Sequence, residues 1–352
     1  DARPGLEGVN ALLNEYYNAL VLADNAMKSN AMPPVSDVFN KLQLEASKYP
    51  APLSVVLADF SFQGQKKVNQ GVGELLVKQT NDQVGNFCLQ AVADKYPFNR
   101  ASRVDASAED FSMLFSKDGL MDKFFQKNLA PIVDTSTKPW RYKLSTTPDA
   151  PILGPNLASF EQADIIRQLF FSDLPTPNLS SANAASQISA AAATQGHRIA
   201  WRMDMSVAEI DPSITQLFVN IDGQNQRYVH GPITPMSISW PGPRGGVSAE
   251  ITAEPRIRTS TSTIASSGPW ALFHLLDKAR ITKSVSPNRF TATYELDGRK
   301  AVLDISASGL PNPFYTNILQ SFQCPTAIRP TPTVPTSTLP SNKAITSTGA
   351  KK

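Results

Sequence analysis

The stretch "IAWRMDMSV", residues 199–207, decides the fold class because the spacing of apolar residues changes there. Large apolar side chains alternate with polar or small ones along it. They are Ile199, Trp201, Met203, Met205 and Val207. A period of two is typical of a β-strand with one buried face. We therefore predict that the chain becomes β-structure at this point.

The chain before this stretch has the spacing of helices. Between Leu6 and Met27, apolar residues recur at alternating steps of three and four, as in helices that pack in a bundle. Similar patterns, interrupted by prolines, continue as far as Phe170. Residues 1–172 are therefore predicted to form an all-helical bundle domain.

One helix of this region carries an unusual aromatic stripe, in "DGLMDKFFQKNLAPIVDTSTKPW", residues 118–140. Phe124 and Phe125 are predicted to anchor it in the core, with Asp118 as the N-cap and Pro131 as the stop. Trp140 is expected to pin the loop that follows. Because nothing in the stretch pairs a nucleophile with a base, packing is favoured over catalysis.

Two segments lack the large apolar residues that a core needs. Residues 173–196 are rich in Ser, Ala and Asn, and residues 326–352 are rich in Pro, Thr and Ser. Such compositions cannot bury enough surface to offset the ordering entropy. We predict a linker or surface loop for the first segment and a disordered tail for the second.

Residues 197–325 are predicted to form an antiparallel β-sandwich domain. Its strands are spaced regularly, and the pairs Asp222-Gly223 and Asp297-Gly298 suit tight hairpin turns. One apolar helix is expected at residues 267–280, with Trp270 as an anchor where it plugs the sheets or meets the helical domain. The fold class is therefore α+β.

No pattern of residues indicates catalysis or a cofactor. Phosphate-loop, dinucleotide, nucleophile-elbow and paired-cysteine motifs are absent from the sequence. The three histidines, His197, His230 and His274, lack metal-ligand spacing. A net charge of +3 without a dense basic run excludes an electrostatic footprint for nucleic acid. We expect a protein that is not an enzyme and needs no cofactor or metal.

The two cysteines, Cys88 and Cys324, leave two alternatives open. They either form one long-range disulfide in an oxidising compartment or remain as two buried thiols. The sequence also lacks an apolar run long enough to span a bilayer and a signal-peptide pattern. Because the chain starts at Asp1 without Met, we expect a fragment or processed product, with any membrane anchor upstream.

Six motifs occur in the order of one known family. They are "KYPFN" (95–99), residues 118–140 quoted above, "IDGQNQRYVHGP" (221–232), "SWPGP" (239–243), "GPWALFHLLDKA" (268–279) and "NPFYTNILQSFQCP" (312–325). Together they resemble the C-terminal periplasmic part of the TssM (also IcmF) family of type VI secretion systems. The resemblance runs from about Leu6 to Pro325.

The resemblance implies a periplasmic scaffold that bridges the inner and outer membranes. Its implied partners are the outer-membrane lipoprotein TssJ, bound through the β domain, other TssM copies in a ring-shaped complex, and TssL through parts of the chain not present here. The alternative class is a periplasmic carbohydrate-binding or adhesin module, which exposed tryptophans in a shallow groove would favour.

Two loops of the β domain are the expected contact sites, because loops on a rigid frame commonly carry binding residues. The first spans residues 241–246 and the second residues 252–267. The expected contact residues are Pro241, Gly242, Pro243, Arg244, Arg256, Arg258 and Thr259.

Overall fold

A computed structural model describes residues 7–143, 154–171, 201–231, 234–307, 312, 314 and 317–325. The predicted linker at 173–196, the predicted tail at 326–352 and His197 lie outside these residues, as does the predicted domain boundary at residue 172.

The first part of the described chain is helical, as predicted. Its helices are α1 (Glu7–Lys28), α2 (Val38–Ala46), α3 (Leu53–Thr80), α4 (Asn86–Ala91), α5 (Ala108–Phe115), α6 (Leu120–Phe124) and α7 (Leu157–Phe170). A π-helical turn, Asn81–Gly85, joins α3 to α4, so the patterns that the sequence shows as separate helices form one continuous element. A second π turn, Phe125–Leu129, extends α6.

The cap of α6 differs from the prediction. Asp118 has a φ of 60°, in the left-handed region, and the cap position is Gly119. The Asp122 side chain accepts from the Asp118 N–H at 3.0 Å. The carboxylate that serves the start of this helix therefore comes from its first turn, and the predicted N-cap at Asp118 is wrong.

A two-stranded hairpin follows the second π turn. Strand β1 (Val133–Asp134) pairs antiparallel with β2 (Arg141–Tyr142). The loop between them ends at Trp140, whose backbone N–H donates to the Glu161 carboxylate of α7 at 3.1 Å. Hairpin pairing and this hydrogen bond together fix the exit loop.

The second part of the described chain is an antiparallel sandwich with one inserted helix, which confirms the predicted fold class. Its elements are β3 (Trp201–Ile210), β4 (Gln216–Ile221), β5 (Gln224–Val229), β6 (Met236–Trp240), β7 (Ser248–Glu254), β8 (Thr263–Ser267), α8 (Ala271–Asp277), β9 (Arg280–Lys283), β10 (Arg289–Leu296) and β11 (Arg299–Ala307). One sheet has the order β6-β3-β11-β10-β9, and the other β5-β4-β7-β8.

Local chemistry explains the strands and turns. Alternate residues of β3, from Trp201 to Val207, are buried, as the period of two predicts. Asp222 and Gly223, at the β4–β5 turn, have φ of 52° and 88°. Asp297 and Gly298, at the β10–β11 turn, have φ of 56° and 76°. Both predicted Asp-Gly hairpins are therefore present.

The inserted helix is shorter than predicted. Ser267 ends β8 and Arg280 begins β9, which leaves Ala271–Asp277 as α8. The β-pairing of its neighbours outweighs the helical pattern at both ends, because Ser267 pairs with Ser248 and Arg280 with Thr293.

The hydrophobic core does not divide where the sequence changes period. One cluster of buried residues runs from Val72 in α3 to Phe322 and includes both sheets and α8. A smaller cluster joins α1, α2 and the start of α3 through Val9, Leu42 and Leu57. The helices from α4 onward therefore share a core with the sandwich. Among the described residues, none of the helices is both long and apolar enough to cross a membrane.

Candidate functional site

The outer face of the four-stranded sheet carries an exposed aromatic residue. Leu217 and Val219 of β4 point into the sandwich and are fully buried, whereas Phe218 between them is 39% exposed. Phe218 pairs across the strands with Arg227 of β5, whose guanidinium carbon lies 5.9 Å from the centre of the ring. This distance permits a cation–π interaction.

A shallow depression of about 350 Å³ lies beside this pair. Phe218, Glu250, Glu254 and Arg256 contribute to its lining, and Arg256 donates to Glu254 at 3.0 Å. Phe218 was not among the residues predicted from the sequence. The sequence does carry a signal for it, since an aromatic residue occupies an outward position in a strand whose other outward residues are polar.

Half of the second predicted loop is strand. Of residues 252–267, the first three belong to β7 and the last five to β8, so only residues 255–262 form a connection. Thr is a good strand former because its branched side chain packs well on a pleated surface. The Thr252 and Thr263 hydroxyls lie 2.9 Å apart across the pair. The predicted long polar loop was therefore wrong in extent.

Asp297 holds this shorter loop in place. Its side chain is 1% exposed and accepts from the Thr261 and Ser262 hydroxyls and from the Ile257 N–H. The guanidinium of Arg299, 7% exposed, pairs with it at 3.1 Å. Burial alone would raise the pKa of Asp297, but these hydrogen bonds hold it well below its usual value.

The tip of the loop faces solvent. Ile257 is 63% exposed, and Arg256, Arg258 and Thr259 beside it are exposed as well. An apolar side chain flanked by arginines on a rigid loop is typical of a protein-contact site, since little entropy is lost when it binds.

Asp222 holds the first predicted loop in a similar way. Its buried carboxylate accepts from the backbone N–H groups of Gly246 at 2.6 Å and Val247 at 3.0 Å. Pro243 and Arg244 are exposed, while Pro241 and Gly242 are half-buried. Each Asp-Gly turn thus fixes one of the two candidate loops.

The two loops lie at opposite ends of β7. Ile221, beside the first loop, pairs with Ala249, and Gln216 pairs with Glu254 at the start of the second. The seven residues of β7 separate them by about 20 Å, at about 3.3 Å per residue. The structure does not bring the seven predicted contact residues into one cluster.

The four predicted anchors all pack against aromatic rings. Phe124 is 3% exposed and stacks on Phe160 at 5.8 Å, and the half-buried Phe125 and Trp140 rings lie 4.9 Å apart. Trp270 is 1% exposed. Its indole N–H donates to the Ala106 carbonyl at 2.8 Å, which joins α8 to the segment before α5.

Cys88 and Cys324 are joined by a disulfide in this structure, with their Cα atoms 5.7 Å apart. Cys88 lies in α4 and Cys324 follows the last strand. The bridge therefore links the helical part to the end of the sandwich part.

The histidines that the structure describes have structural partners. His230 Nε2 lies 2.9 Å from the Ile214 carbonyl oxygen. His274 Nε2 lies 2.8 Å from Asp105, and its ring stacks on Tyr96 at 3.8 Å. Within the described residues, no group of three His, Cys, Asp or Glu side chains could hold a metal ion.

Known proteins share sequence and structural features with this chain. Residues 203–309, which cover most of the sandwich, match the family described as the type VI secretion protein IcmF C2-like domain. This part of the chain is similar to the IcmF C2-like domain. The type VI secretion system component TssM1 of Pseudomonas aeruginosa is 27% identical over 320 residues, which cover 91% of this chain. The chain spans only 27% of the length of that relative.

Solved structures share the fold. The TssM C-terminal domain from EAEC has a TM-score of 0.52 at 17% identity, covering 72% of this chain and 97% of its own. A chain of a type VI secretion system membrane core complex has a TM-score of 0.61 at 18% identity, covering 88% of this chain and 60% of its own. Together the comparisons support the prediction that this chain corresponds to the C-terminal region of TssM/IcmF proteins.

Proposed function

We propose that this chain is a non-catalytic periplasmic scaffold segment of a type VI secretion membrane complex, and that its β-rich part binds the outer-membrane lipoprotein TssJ. In this proposal it belongs to an inner-membrane-anchored protein that assembles with further copies of itself and with TssL. The observation that carries the proposal is the match of residues 203–309 to the IcmF C2-like domain.

The binding surface in this proposal is the outer face of the four-stranded sheet. Phe218 is the centre, and the loops at residues 241–246 and 255–262 are the two ends. A standard interface buries about 800 Å² per partner, which corresponds to a disc roughly 30 Å across. A partner lying along β7 can therefore contact both loops, although they lie about 20 Å apart.

The charges of this surface have both signs. Arg227 lies beside Phe218 on β5, and Glu250, Glu254 and Arg256 line the depression on the β7 side. Such a surface steers a partner only weakly, so shape and hydrogen bonds dominate and affinity is expected to depend mildly on salt.

Calorimetry of the full chain with soluble TssJ tests the proposal. The full chain is needed because the helices from α4 onward share one core with the sheets. Phe218→Ala is expected to weaken binding at least about tenfold, as for the truncation of a buried anchor. The matched control is Val285→Ala. Val285 is fully exposed and lies in the connection after β9, which belongs to the other sheet.

Two results would overturn the proposal. Absence of binding by the wild-type chain would reject the partner. Equal binding by wild type and by a variant carrying both Phe218→Ala and Arg258→Ala would reject the surface.

A further inference from the structure

A second concave site lies in the helical part, away from the sheet. It is a cleft of about 290 Å³ between the π turn after α6, the β1–β2 loop and α7. We call it the Trp140 cleft, and its lining includes Phe125, Gln126, Trp140, Asp122, Asp164 and Arg167. None of these residues belongs to the surface proposed for TssJ.

The cleft has an aromatic wall that is held in place. Trp201, Trp240 and Trp270 are each 1% exposed, whereas Trp140 is only half-buried. Phe125 supports its ring at 4.9 Å, and the backbone N–H of Trp140 is bonded to Glu161. A ring fixed before binding loses little entropy when a ligand packs against it.

The polar side of the cleft is also organised. The guanidinium of Arg167 pairs with both Asp122 and Asp164, which are 11% and 18% exposed. The second oxygen of Asp122 accepts from the Asp118 N–H, and that of Asp164 from Gln168. Each carboxylate oxygen can accept more than one hydrogen bond. Fixed acceptors therefore line the same cleft as the aromatic wall.

The charges that line the cleft cancel. Asp122 and Asp164 oppose Arg167 and Lys138, and Lys138 also lies 3.5 Å from Glu161 outside the lining. A phosphate or a carboxylate would meet the two carboxylates that Arg167 holds, and an ammonium group would meet Arg167 and the exposed Lys138. The electrostatics thus favour a neutral ligand with many hydroxyl groups.

The shape and chemistry together fit a sugar ring. An aromatic face offers apolar area to the C–H face of a pyranose, while carboxylate oxygens accept from its hydroxyls and the amide of Gln126 can donate or accept. Ligand sites usually enclose about 300–1,000 Å³, so a cleft at the lower end suits a short saccharide.

We propose that the Trp140 cleft binds a neutral saccharide, with the indole of Trp140 as the stacking platform and Asp122, Asp164 and Gln126 as its hydrogen-bonding groups. The chain then has a glycan contact in its helical part that is independent of the protein contact on its sheet.

The probes for the test are the β-1,4-linked trimer of N-acetylglucosamine and maltotriose. Each is titrated into the full chain, followed by tryptophan fluorescence and by calorimetry. Because the three other tryptophans are buried, the fluorescence change reports on Trp140. We expect saturable binding of at least one trisaccharide, weakened at least about tenfold by Trp140→Ala.

Further variants separate binding from folding. Gln126→Ala removes a polar group from the rim and is expected to weaken binding while leaving the melting temperature unchanged. Phe218→Ala is the matched aromatic control from the sheet surface, and it should bind the saccharide like wild type. If Trp140→Ala lowers the melting temperature, Trp140→Phe replaces it, because it keeps a smaller ring at this position. Its saccharide binding is then compared with that of wild type.

The proposal is overturned if neither trisaccharide gives a saturable signal up to about 10 mM. It is also overturned if wild type, Trp140→Phe and Gln126→Ala bind equally well. Failure here leaves the TssJ proposal intact, since that interaction is measured with Phe218→Ala and a different partner.

Discussion

At the scale of single residues, two turn aspartates each perform two tasks. Asp222 and Asp297 adopt positive φ in their hairpins, and their carboxylates reach across to neighbouring loops. Asn also tolerates positive φ, but its amide cannot accept at both side-chain positions. The carboxylate of each aspartate is therefore needed to hold the neighbouring loop, and its short side chain is needed for the positive φ of the hairpin turn.

Asp297→Asn is expected to lower the melting temperature near neutral pH. The folded-state pKa of Asp297 lies below its usual value of 3.8, so the carboxylate stabilises the fold above that pH. This contribution is lost as the pH falls below 3.8 toward the lowered pKa. The difference in melting temperature between wild type and variant should therefore shrink at about pH 3.

Glu295→Gln is the control for this prediction, because Glu295 is an exposed acid of the same hairpin. It should change the melting temperature little at either pH. A difference for Asp297→Asn that stays constant across the pH range would contradict the assigned role of the ionised carboxylate.

At the scale of elements, the aromatic stripe after Asp118 is divided by the π turn. Phe124 ends α6 on the buried side, whereas Phe125 begins the π turn and reaches the Trp140 cleft. A π turn adds a residue to the helical repeat and is often found at functional sites. Adjacent phenylalanines thus have different roles, one in the core and one beside a cleft.

Phe124→Ala is expected to lower the free energy of unfolding by about 3–5 kcal/mol, since it leaves a cavity against Phe160. Phe125→Ala should cost less because Phe125 is only partly buried. Chemical denaturation of the two variants beside wild type measures both values. If both variants lost the same free energy of unfolding, the assignment of Phe124 to the core and Phe125 to the cleft would be incorrect.

At the scale of the whole molecule, the helices and the sandwich are joined in three ways. The helices from α4 onward share one hydrophobic core with the sandwich, Trp270 is bonded to Ala106 across the seam, and the Cys88–Cys324 disulfide closes the chain over 236 residues. A rigid connection between the two parts suits a scaffold, because a force or a contact at one end is transmitted to the other.

Replacing both cysteines by Ala is expected to lower the free energy of unfolding by about 2–4 kcal/mol, because the unfolded chain is then less constrained. Denaturation under non-reducing conditions measures the loss. Reductant should destabilise wild type and leave the double variant unchanged. Alkylation of two cysteines in the unreduced native protein, detected by mass spectrometry, would show that the bridge is absent.

The sequence by itself determined the elements whose causes are local. The period of two from Trp201 to Val207 and the positive-φ pairs at Asp222 and Asp297 depend on residues within one strand or turn. The change from helices to an antiparallel sandwich was predicted for the same reason. The ends of α8 were misplaced, because strand pairing with distant residues decided them.

Only the tertiary structure decided which surfaces exist. The register of β4 with β7 sets the candidate loops at opposite ends of a sheet, and Phe218 becomes part of a surface only when β5 and β7 flank it. The Trp140 cleft combines three segments separated along the chain. Contacts between distant residues depend on the packing of the whole core, which no single stretch of sequence contains.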